Sequence, residues 1–158
     1  MLLAVAHAIT PVPMSPLGAA HVVLAVSALV AGAAVALGRK GTSFHRRAGW
    51  TYLASMVGVN VTALSIYRLF GSFGPFHWAA AFSLATIAAG LVPVRRRANR
   101  YWLWRHAYWM SGSYVGLWAA AVAETLTRSR ALPFWWLVSI GTVVTMVAGA
   151  AGQLKVGK

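Results

Sequence analysis

Cysteine is absent from this chain of 158 residues, and Glu124 is its only acidic residue. The first absence excludes disulfides, thiolate metal ligands and iron–sulfur clusters. It also rules out a cysteine nucleophile, and no Gly-x-Ser-x-Gly elbow offers a serine instead. The second leaves no carboxylate pair for acid–base chemistry. Charged residues are scarce as well, at 9% of the chain, while hydrophobic residues make up 59%. A mean hydropathy of +0.68 points to a membrane protein.

Five nearly charge-free runs carry this signal: Leu17–Gly38, Ala48–Tyr67, Phe76–Val94, His106–Ala123 and Ala131–Gly152. Each is close to the roughly 20 residues with which a helix crosses about 30 Å of hydrocarbon. The pattern predicts an all-α, polytopic membrane protein, with an antiparallel four-helix core and a fifth transmembrane helix. Residues 1–15 read as an outer or interfacial arm, since Pro11 and Pro13 disfavour a helix there. Residues 16–152 form one domain, and 153–158 form a tail.

Ser15 with Pro16 predicts the start of the first helix, and Thr42 or Ser43 that of the second. Pro75 opens the third. The aromatic stretches "YWLW" (101–104) and "FWW" (134–136) fit interfacial belts. Frequent alanine and glycine in helices 1 and 3 suit close packing in lipid. Asn60, halfway down helix 2, reads as a hydrogen-bonding residue between helices.

The net charge of +13 is distributed unevenly. Arg39, Lys40, Arg46, Arg47, Arg95, Arg96, Arg97, Arg100, Arg105, Lys155 and Lys158 fall on one side of the bilayer. Only Arg68, Arg128 and Arg130 fall on the other. Topology thus explains the charge, and nucleic acid is not an expected partner. The bias predicts a multi-pass protein of the bacterial inner membrane with its N-terminus outside and its C-terminus cytoplasmic.

On that topology the histidines fall into two layers. His21, early in helix 1, and His77, opening helix 3, lie at the outer end. His45 starts helix 2 and His106 starts helix 4, both at the cytoplasmic end. In an up-down bundle helices 1 and 3 are diagonal, as are 2 and 4, so each pair can meet across the axis. Two facing imidazoles are what a six-coordinate haem requires. Arg46, Arg47 and Arg105 can pair with haem propionates. Glu124 follows His106 by five helical turns and shares its face, which places it near His21 and His77. There it can bind a metal, relay a proton, or pair with Arg68 or Arg128. His7 has no partner at its height.

"KGTSFHRRAGW" (40–50), "FGPFHW" (73–78) and "RHAYWMSGSYVGL" (105–117) resemble a bacterial family of predicted small membrane proteins of unknown function. The histidine layout is similar, more loosely, to that of two-haem transmembrane cytochromes b. That likeness implies one haem b on His45 and His106 and another on His21 and His77. It also implies an electron donor, a quinone or small molecule, and an outer acceptor. Two alternatives stay open beside this oxidoreductase reading. One is a bare transition metal (zinc, copper or iron) at His21, His77 and Glu124, with His45 and His106 as a second metal pair. The other is a non-catalytic accessory subunit. Homo-oligomerisation is compatible with each.

Overall fold

The computed structural model describes residues 15–66, 71–97 and 100–128, the last three as backbone only. The expected fifth helix at 131–152, the N-terminal arm, the C-terminal tail and His7 lie outside the described residues. So do Arg68, Arg130 and the side chain of Arg128.

Four helices follow one another: α1 (Pro16–Leu37), α2 (Ser43–Ser65), α3 (Pro75–Arg96) and α4 (Trp102–Arg128). Their starts follow from local chemistry. Ser15 Oγ accepts the Gly18 N–H at 3.1 Å, with Pro16 preset for the first turn. Thr42 Oγ1 accepts the His45 N–H at 3.1 Å and so fixes the first turn of α2. At the end of α1, Lys40 Nζ donates to the carbonyls of Val35 and Ala36, both at 2.6 Å. These carbonyls have no partner inside the helix. α3 ends at Arg97, whose φ of 44° lies in the left-handed region and turns the chain off the helix axis.

α4 begins at Trp102, a turn earlier than the apolar run suggests, so His106 sits in its second turn rather than at its start. The residues 102–105 are good helix formers, and their charge and indoles do not oppose a helix, only its burial in hydrocarbon.

Contacts along the helices give the arrangement. Leu24 packs against Gly58, and His21 bonds to Thr62, so α1 and α2 are antiparallel. His106 meets Gly90, which sets α3 against α4. Asn60 Nδ2 donates to Ser83 Oγ at 3.1 Å and joins α2 to α3, as its position in the sequence predicts. Tyr114 Oη donates to the Leu29 carbonyl at 3.2 Å and closes α4 onto α1. α1 and α3 are therefore one diagonal, and α2 and α4 the other.

Small residues act as sockets for large ones. A Cβ at Gly32 would overlap the Tyr114 ring, and one at Gly90 would come within 2.7 Å of Met110 Sδ. Around the first socket Ala28, Tyr52, Met56, Ile87 and Leu117 form the core.

The described bundle has several polar residues inside and an apolar outer surface. Ser55, Asn60, His77, Thr86 and Ser113 are buried, whereas Val23, Val30, Trp78 and Phe82 are each at least 65% exposed. An apolar outer surface of this kind belongs against lipid or protein. By length and composition two of the described helices qualify as membrane spans, α1 and α3, with mean hydropathies of 2.3 and 1.5. α2 and α4 fall short of that test. α2 begins inside the basic "SFHRR" stretch and carries Asn60, and α4 is rich in tryptophan and tyrosine, which hydropathy scales rate low.

A candidate site in two histidine layers

The layer of His45 and His106 is built by one geometric relation. Tyr52 Oη and Ser113 Oγ meet at 2.7 Å across the α2–α4 diagonal, and both residues are buried. His45 precedes Tyr52 by seven residues and His106 precedes Ser113 by seven. Seven residues are close to two turns, or about 10 Å of helix. Because α2 and α4 run parallel, the two histidines occupy the same height, on the faces that Tyr52 and Ser113 turn toward each other.

Hydrogen bonds set the tautomers. His106 Nδ1 lies 2.8 Å from the Gly90 carbonyl, which can only accept. Nδ1 therefore carries the proton, and the neutral ring keeps its lone pair on Nε2. His45 is half-buried, and its Nδ1 is buried with no hydrogen-bond partner. A buried nitrogen without a partner is rare, and it marks a place where something polar is wanted.

His45 lies just before the charge-free run that begins at Ala48. Its pKa is lowered from the ordinary 6.5, first by burial, then by Lys40, His106 and Arg46. The influence of His106 on His45 places the two rings within electrostatic reach. A lowered pKa favours the neutral ring in the folded state. The corresponding stability is present above pH 6.5 and is lost as the pH falls through the folded value. The thermal midpoint should therefore drop on acidification from about pH 7 to 5. His45→Asn should flatten that slope; an unchanged slope would assign the acid sensitivity to other groups.

The opposite layer is organised differently. Thr62 Oγ1 donates to the carbonyls of Gly58 and Val59, at 2.8 and 2.9 Å. Its contact with His21 Nδ1 at 2.8 Å must then have the imidazole as donor. His21 Nε2 faces Glu124 Oε2 at 3.8 Å, an ion-pair distance when the ring is protonated. Glu124 thus reaches the layer that its spacing from His106 predicts. His77 is 2% exposed, and its Nδ1 accepts the Gly74 N–H at 3.0 Å. In the neutral ring this puts the proton on Nε2, a donor where a metal needs a lone pair. Among the described residues no three histidine or carboxylate side chains form a group able to hold a metal ion. His21 and Glu124 come together; His77 does not join them in such a group.

Of the predicted basic residues, Arg46 donates through Nη1 to the Gly41 carbonyl at 3.0 Å, beside His45. Arg47 is exposed in the same turn. Arg105 lines a groove between α3 and α4 instead. Tyr52, Ser113 and Thr62 are not recognisable as site residues from the sequence until the helices are paired. Their signal is the shared seven-residue offset from His45 and His106, and the hydroxyl of Thr62 opposite His21.

No curated protein and no solved structure matches the chain. A family model does, over residues 18–152. The chain belongs to the DUF2306 family, described as predicted membrane proteins.

Proposed function

We propose that this is a multi-pass protein of the bacterial cell membrane that transfers electrons through a b-type haem held by His45 and His106 at the cytoplasmic face. The observation that carries this reading is the matched offset. The Tyr52–Ser113 contact fixes the facing surfaces of α2 and α4, and each histidine lies seven residues before it. The partnerless buried nitrogen of His45 and the lone pair left on His106 Nε2 fit two axial ligands. The Gly90 carbonyl orients the His106 ring, as an outer-shell acceptor does for a ligating imidazole. Arg46 and Arg47 stand in the same turn as cations for propionates.

His45 and His106 would hold such a haem between them, and it would supply single-electron exchange. The donor fitting this end is a quinone or a small cytoplasmic reductant, and the acceptor lies outside. A second haem on His21 and His77 has less behind it, because the Nδ1 of His77 is taken up by a backbone N–H. What favours a proton-exchanging role there is the pairing of His21 Nε2 with Glu124 at 3.8 Å.

The test is the visible spectrum of detergent-purified protein expressed with ample haem. Sharp reduced bands of a six-coordinate b-type centre are the expected result. A colourless, folded protein overturns the reading, and retention of zinc or copper by that protein would put a bare metal in its place. A C-terminal reporter fusion checks the orientation and should report from the cytoplasm.

A further inference from the structure

The last turns of α3 and the first turns of α4 enclose a groove of about 390 Å³. That is within the usual range of small-molecule sites, about 300–1,000 Å³. Its walls are apolar, formed by Val92 and Pro93 on one side and by Trp102 and Trp109 on the other. Arg96 and Arg105, both exposed, stand on its rim.

The two guanidinium groups have no acidic side chain to meet. Glu124 is the only carboxylate side chain in the protein, and it lies at the other end of the bundle beside His21. Three nearby cations are engaged within the protein. Lys40 binds the last carbonyls of α1, Arg97 lies 5.3 Å from the centroid of the Trp102 ring, and Arg100 lies 4.8 Å from that of Tyr101. Among the described residues no acidic side chain lies beside Arg96 and Arg105, so an external anion can meet them.

We propose that this groove binds an acidic glycerophospholipid of the cytoplasmic leaflet. The phosphodiester bridges Arg96 and Arg105, and one acyl chain lies along Val92 and Pro93 between the two indoles. Guanidinium forks match phosphate oxygens in geometry, and basic pockets between helices at this face suit anionic headgroups. The site is separate from the haem reading and survives its failure.

Native mass spectrometry of the purified full chain tests it, with phosphatidylglycerol and phosphatidylcholine of identical acyl chains. The wild type should retain the acidic lipid about tenfold or more over the zwitterionic one. R96Q/R105Q should reduce that ratio to parity. R39Q/R95Q, with the same charge removed from the same end, should keep it, and soluble glycerol phosphate should not displace the lipid. If R96Q/R105Q does not fold, R96K/R105K serves instead and should show a reduced ratio, since lysine lacks the bidentate fork. Parity in the wild type, or an equal loss in R39Q/R95Q, overturns the proposal. Displacement by glycerol phosphate overturns the lipid in favour of a free phosphate ester.

Discussion

His106→Ala should abolish the six-coordinate spectrum expected of the proposed haem site, and His45→Ala should do the same. The effect is large because a bis-imidazole site has no partial form: one axial bond leaves a five-coordinate or empty centre. His106→Ala also frees the Gly90 carbonyl, now held at 2.8 Å by the ring that orients the site. His106→Gln separates these effects, since its amide can reach that carbonyl but ligates iron poorly. Tyr52→Phe should retain the spectrum, because it removes only the 2.7 Å bond to Ser113 and leaves the histidines in place. His7→Ala should change nothing. A spectrum that survives the loss of either His45 or His106 removes both from the ligand set.

The second large effect concerns packing. Gly32→Val should lower the thermal midpoint in detergent by roughly 3–10 °C, an overpacking cost of about 1–3 kcal/mol for a chain of this size. A Cβ at that position would overlap the Tyr114 ring and lie 3.2 Å from Tyr52 Cδ2. Tyr114 cannot retreat without giving up its bond to the Leu29 carbonyl, and Tyr52 is pinned to Ser113. Gly112→Ala and Gly116→Ala should be close to neutral, because a Cβ at either position meets nothing within 4 Å. Equal losses at Gly32 and Gly116 would count against the socket, since replacing glycine raises helix propensity at both positions.

Much of the fold is legible in the sequence because the signals are local. Ser15, Thr42 and Pro75 mark helix starts through capping and the geometry of proline, which need no tertiary context. Asn60 shows itself because an amide in an apolar run must find a partner. The site is only half legible. Helical period and alternating direction bring Glu124 to His21 and set His45 level with His106. The proton on each ring is another matter. It depends on which acceptor or donor the neighbouring helix presents: the Gly90 carbonyl for His106, Thr62 for His21, the Gly74 N–H for His77. Those contacts exist only after docking, and no spacing rule reveals them. The start of α4 is missed for a related reason, since hydropathy tracks lipid exposure and not the helix itself.

The bundle is two hairpins, α1 with α2 and α3 with α4, and neither histidine layer belongs to one hairpin alone. His45 looks across the seam to His106, and His21 across it to Glu124. The Tyr52–Ser113 bond crosses the same seam between them. The two ends of the bundle therefore share one joint. A slide of one hairpin along the other displaces both layers together, so what is held at one face sets the register available at the other.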